Sequence, residues 1–104
     1  MSLRVFKLPG AFRDLFDICE YIAQDNPDAA RRFLVAAERE FSRIAEAPAI
    51  GSPFQSENPK LRSLRSRRVR GFHNYLVFYR FTDTEVEVVR VLHGARDLEG
   101  ILGE

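Results

Sequence analysis

With 104 residues, 45% of them hydrophobic, the chain has material for one core and is too short for several domains. Charged residues make up 30% but nearly cancel to a net charge of +1, so overall charge selects no partner class, and a single cysteine, Cys19, excludes an internal disulfide and a multi-cysteine metal site. Two separated histidines without ligand spacing, no glycine-rich phosphate loop and no nucleophile-elbow motif remove further chemistries, so no metal and no cofactor is expected.

Leu3–Leu8 mixes strand formers with charge and stops at Pro9-Gly10, a breaker, which predicts a first strand. From Ala11 the period changes: Ala11, Leu15, Ile18, Cys19 and Ile22 recur at helical spacing, predicting an amphipathic helix to about Asp25. On that stripe Cys19 reads as a small core residue. Asn26-Pro27 restarts the chain as a helix, with Asn accepting from free first-turn N–H groups and Pro fitting the first helical position. A cap of that kind contributes about 1 kcal/mol. The second helix runs to about Ala45 with a stripe of Ala30, Phe33, Leu34, Ala37, Phe41, Ile44 and Ala45. Each large member of the stripe contributes roughly 1.5–3 kcal/mol when fully buried. The short link makes the two helices an antiparallel hairpin.

Pro48 and Gly51-Ser52-Pro53 end the second helix, and the segment to Pro59 reads as a loop suited to binding or to mobility. Strand-like segments follow at Leu64–Arg70, Tyr75–Phe81 and Glu85–His93, joined by Gly71-Phe72-His73-Asn74 and Thr82-Asp83-Thr84. Glu85 and Glu87 alternate with Val86 and Val88, as in a half-exposed antiparallel strand, whereas the later valine run implies burial on both faces. Asp97-Leu98-Glu99-Gly100-Ile101-Leu102 predicts a short final helix capped near Asp97. The expected fold is α+β, one domain over 1–104, with element order β-α-α-β-β-β-α. A helical hairpin packs on one face of a mainly antiparallel sheet, and the other face is left to solvent or a partner.

Charge is distributed unevenly. From Asn58 to Thr82 there is no acidic residue, while Lys60, Arg62, Arg65, Arg67, Arg68, Arg70 and Arg80 all fall inside. Arginine binds carboxylate and phosphate bidentately, so this strip is a candidate surface for a polyanion or an acidic protein. On a strand Arg65 and Arg67 face one side and Arg68 and Arg70 the other, so one surface cannot use them all. Near the end of the last strand His93, Arg90 and Arg96 are suitable types for a metal-independent ribonuclease, which needs an acid, a base and cations for the phosphate. Tyr75 and Tyr79 share one strand face. The N-terminus carries no secretory leader and no run reaches membrane-spanning length, which predicts a cytoplasmic protein.

The blocks DLFDICEYIAQDNPDAARRF, Pro48–Gly51 (P-x-I-G), LRSLRSRRVRGFHNYLVFYRF and VEVVRVLHGARDLEGIL, in this order, resemble a ParE toxin of the ParE/RelE type II toxin–antitoxin superfamily. The resemblance covers nearly the whole chain and implies the RelE/ParE-like version of the fold above. It implies a growth-arresting toxin neutralised by a ParD-like antitoxin, through which alone operator DNA would be reached, and a target that is DNA gyrase in the ParE branch. The alternative is the RelE activity, ribosome-dependent mRNA cleavage, with His93, Arg90 and Arg96 as the catalytic set. RelE-like nucleases resemble one another in several basic residues and a Tyr or His close to the C-terminus. Here the only lysines are Lys7 and Lys60, and His93 is followed by a further helix, so the ending resembles the ParE branch and no catalytic residue is expected. Arg65, Arg67, Arg68, Arg70, His93 and Arg96 are then the expected target-binding set. Leu15, Phe16, Phe33, Arg68, Arg70 and Tyr79 are the expected antitoxin-binding set.

Overall fold

A computed structural model describes residues 2–104. The elements are β1 (Arg4–Lys7), α1 (Pro9–Ala23), α2 (Pro27–Glu46), β2 (Ser52–Pro53), β3 (Arg65–Val69), β4 (Phe72–Phe81), β5 (Glu85–His93) and α3 (Leu98–Leu102), with single 3-10 turns at Pro48–Ile50 and Pro59–Leu61. The strands form one sheet in the order β1-β5-β4-β3-β2. The β1–β5 pair is parallel and the other pairs are antiparallel, as a mainly antiparallel sheet requires.

Local chemistry sets the element ends. Asn26 Oδ1 accepts from the Ala29 N–H at 3.0 Å and Asp97 Oδ1 from the Gly100 N–H at 3.2 Å, the two expected caps. Pro9-Gly10 differs from expectation: both residues lie inside the first turn of α1, where proline's missing N–H has no partner to lose. The sheet has a fifth strand, β2, too short to carry a periodic signal. It pairs Ser52 with Ser66 and Pro53 with Arg65.

The core lies between the helical hairpin and the sheet. Ala11, Leu15, Phe33, Ala37, Phe41 and Ile44 from the helices meet Val69, Val77, Tyr79, Val86, Val88 and Val91 from the strands. Leu34 leaves this stripe for solvent. Phe33 stands edge-on to Phe72 and Tyr75 at 5.4 and 5.2 Å. Cys19 packs partly buried against the same cluster, and burial pushes its thiol pKa up.

The opposite face of the sheet is not left open. Phe78, between the helix-facing Val77 and Tyr79, points away from the helices and is buried with Leu92. Phe54 meets Phe78 edge-on at 5.7 Å, and Leu61 and Leu64 are buried beside the same segment. The stretch after β2 can cover the sheet because it is ordered. The Phe54 N–H donates to Leu64 O at 2.9 Å, and Asn58 Oδ1 accepts from the Lys60 N–H at 3.0 Å.

Candidate functional site

The arginine strip becomes strand β3 and its flanks, and the structure sorts its members by what each guanidinium touches. Arg67 turns toward the helices and donates to the carboxylate of Glu40 at 3.1 Å; Arg43 donates to the same carboxylate at 2.8 Å. Glu40 is fully buried. A carboxylate there requires counter-charge, and two arginines supply it. Arg65 also faces the helix side but donates to backbone carbonyls, Gly51 O at 2.7 Å and Ala49 O at 3.3 Å. Its guanidinium sits 6.0 Å from the Phe81 ring centre. Arg68 donates to His73 O at 2.6 Å, and Arg62 to Ser56 O and Glu57 O at 3.2 and 3.0 Å. A guanidinium held by carbonyl oxygens has no neighbouring anion to offset its charge, whereas one held by a carboxylate is compensated. The charges of Arg62, Arg65 and Arg68 are therefore uncompensated by these bonds. Arg70 is exposed and makes no side-chain bond among the described residues.

The cations converge at one end of the sheet. Gly71, at φ 88°, makes the tight β3–β4 turn that exposes Arg70 and His73. The Gly94 N–H bonds to Asn74 O at 2.7 Å, which sets the turn after β5, with His93 and Arg96, beside that hairpin. Arg68, Arg70, His73, His93 and Arg96 thus share one rim.

His93 is fixed in an informative way. Its Nδ1 accepts from the Ala95 N–H at 3.0 Å, so the neutral ring carries its proton on Nε2 and turns an N–H donor outward. Its ring stands edge-on to Tyr75 at 5.2 Å. Arg90, the third member of the alternative catalytic set, does not join this rim. Its Nε and Nη2 donate to the buried carboxylate of Asp14 at 2.6 and 2.8 Å, and the Val91 N–H donates to the same carboxylate at 2.9 Å. The hydrogen bond to Asp14 raises the Arg90 pKa, outweighing burial.

The family described as ParE toxin of type II toxin-antitoxin system, parDE, matches residues 5–98. The chain belongs to the ParE toxin family.

The fold of this ParE-family chain is shared with solved toxins. It resembles a chain of a chromosomal ParDE toxin–antitoxin system from P. aeruginosa, at TM-score 0.70 and 16% identity, covering 88% of this chain and 96% of that one. It also resembles a chain of the RelBE2 toxin–antitoxin complex from Mycobacterium tuberculosis, at TM-score 0.62 and 27% identity, covering 92% and 95%. A YoeB dimer from Staphylococcus aureus gives TM-score 0.58 and 20% identity over 86% and 94%. No curated protein sequence matches.

In the ParE-family chain the residues expected to meet an antitoxin separate into two groups. Leu15, Phe33 and Tyr79 are core residues, the last two with 0% exposure. Phe16, Arg68 and Arg70 are at the surface. The helical hairpin also exposes Phe12 and, on α2, Leu34 and Val35. Phe12 and Phe16 are one turn apart on α1 and lie off its core stripe, the signal that distinguishes an unpartnered apolar face from a buried one. Asp14 and Glu40, the internal counter-ions, have no comparable local signal: Arg43 is near Glu40 on α2, but Arg67 and Arg90 lie 27 and 76 residues from their partners. No helix among the described residues is long and apolar enough to cross a membrane.

Proposed function

We propose that this ParE-family toxin acts by binding, that its target is DNA gyrase, and that a ParD-like antitoxin neutralises it. The observation that carries the reading is the state of His93. In the tautomer that this bond favours, its outward nitrogen offers a proton and no lone pair, which suits holding a partner better than acting as the base that starts RNA cleavage. Arg90, already committed to Asp14, cannot turn to a phosphate without opening the α1–β5 contact. The groups left at the rim, Arg68, Arg70, His73 and Arg96, suit a charged protein or nucleoprotein surface. Purified chain added to a gyrase supercoiling reaction is expected to inhibit it or to trap cleaved DNA. Undisturbed supercoiling at large toxin excess would refute the reading.

The antitoxin would lie on the exposed apolar face of the hairpin, Phe12, Phe16, Leu34 and Val35, and reach the arginines of β3 with acidic residues. Similarity to structures described as toxin–antitoxin systems supports such a partner. The chain would then work in the cytoplasm beside that partner and its target.

A second reading, ribosome-dependent mRNA cleavage, draws on the 27% identity to the RelBE2 chain and on the uncompensated arginines. It predicts codon-biased cuts soon after induction that disappear in His93→Ala. Intact transcripts during growth arrest would remove it.

A further inference from the structure

We propose that a cleft between α1 and the ends of β4 and β5 binds a guanine nucleotide, an inference that does not rest on the choice of toxin target. The cleft measures about 530 Å³, within the size range of small-ligand sites, and lies on the flank of α1 away from Phe12 and Phe16. Asp17 and Tyr21, four residues apart on α1, form one wall. Asn74, Tyr75, His93 and Arg96 form the other.

Two features leave this cleft open to a ligand. First, the side-chain hydrogen-bonding groups on its walls make no bonds to the protein: the Asp17 carboxylate, the Tyr21 and Tyr75 phenols, the Asn74 amide, His93 Nε2 and the Arg96 guanidinium are all free among the described residues. The other acid of the cleft, Asp14, is consumed by Arg90 and the Val91 N–H. Second, one aromatic wall is held rigidly. Tyr75 stands edge-on to Phe33 at 5.2 Å on one side and to His93 at 5.2 Å on the other, so little ordering remains to be done on binding.

The arrangement fits a guanine nucleotide better than other ligands because that ligand uses each group. A planar base can lie against Tyr75 and Tyr21. Of the two purines, only guanine presents adjacent N–H donors on its pairing edge to a carboxylate such as Asp17; adenine presents a ring acceptor there. The phosphate meets Arg96 and the outward N–H of His93, two donors supplied by side chains in a chain without a glycine-rich phosphate loop. The same unit occurs free in solution and as an unpaired guanine in a nucleic-acid strand.

The test is an NMR titration of the isotopically labelled chain with GMP, AMP and inorganic phosphate. A short single strand containing one guanine and its adenine counterpart form two further arms. GMP is expected to move the amides of Asn74, Tyr75, His93 and Arg96 saturably and to bind about tenfold or more tightly than AMP. Asp17→Asn, at an exposed position without a partner, is expected to fold normally and to remove that preference. Arg96→Ala is expected to weaken GMP while leaving guanosine nearly unchanged. A guanine strand binding at least tenfold more tightly than GMP assigns the site to nucleic acid; equal affinities assign it to the free nucleotide. The proposal is overturned if neither GMP nor the strand shifts these amides, if AMP binds as well as GMP, or if Asp17→Asn keeps the preference.

Discussion

Glu40 on α2 and Arg67 on β3 are joined across the helix–sheet interface, Nε to Oε2 at 3.1 Å, with the carboxylate completely out of water. The pair ties the basic strand to α2 and removes one arginine from the strip. Glu40→Ala would leave Arg43 and Arg67 facing a cavity without counter-charge, and a loss of about 3–5 kcal/mol in urea unfolding is expected. Arg67→Ala should cost similarly, because it strands part of the carboxylate. If both variants kept wild-type stability, the pair would have no structural role.

Tyr79 closes the loop after α2. Its hydroxyl donates to Pro48 O at 2.6 Å and accepts from the Gly51 N–H at 2.9 Å. Tyr79→Phe leaves a buried donor and a carbonyl unpaired, and a loss of about 1–3 kcal/mol is expected. Gly51 matters for room rather than for its dihedral angles: a Cβ there would lie 2.5 Å from the Tyr79 hydroxyl. Gly51→Ala should therefore displace the loop and lower the melting temperature, while Gly94→Ala, with its nearest contact at 3.5 Å, should not.

Burial is the largest influence on the Tyr79 phenol and raises its pKa, with the Gly51 N–H bond and the nearby Arg65 and Arg67 pulling the other way. The folded value therefore lies above the unfolded one, near 10. The linked stability is intact below about pH 10 and falls as pH climbs through the folded value. Urea midpoints measured from pH 8 to pH 11 should show this alkaline decline, and Tyr79→Phe should flatten it.

Arg70 and Arg90 are expected to behave as opposites. Arg70→Glu, at an exposed side chain without a partner, should leave unfolding within about 0.5 kcal/mol of wild type and weaken target inhibition. Arg90→Ala leaves Asp14 buried without its partner and should cost about 3 kcal/mol. Parallel thermal melts and supercoiling assays separate the two.

His93→Gln preserves an outward N–H donor, whereas His93→Ala removes it. A binding toxin should retain most of its inhibition in the first and lose it in the second. Loss in both, together with loss of mRNA cuts, is the outcome expected of a nuclease.

Much of the fold was legible because it rests on periodicity. The stripe from Ala30 to Ala45, the Asn26 and Asp97 caps, and the Val86–Val88 alternation each announce themselves within a few residues. Helical spacing brings Leu34 close to the stripe, while packing leaves it outside. β2 is too short, at two residues, to carry a period. The site was less legible for a different reason. Which arginine stays free depends on Asp14 and Glu40, 76 and 27 residues away from Arg90 and Arg67, and no local pattern records such a pairing. For Tyr79 the strand pattern records only that it shares a face with Tyr75; the partners of its hydroxyl, Pro48 and Gly51, lie 31 and 28 residues away.

Register adds one further consequence. β1 covers β5 only from Glu85 to Val88, and between Val88 and Arg90 the ladder skips Val89, a bulge. Beyond it, the bond that another strand would offer the Val91 N–H comes instead from the side chain of Asp14, at 2.9 Å. A helix thus finishes a row that a sixth strand would otherwise extend, and it does so with a carboxylate already held by Arg90, which leaves the Val91 N–H no free place for an intruding backbone. Stray chains meeting the molecule during synthesis find that border already occupied, so this flank resists fibre-like growth.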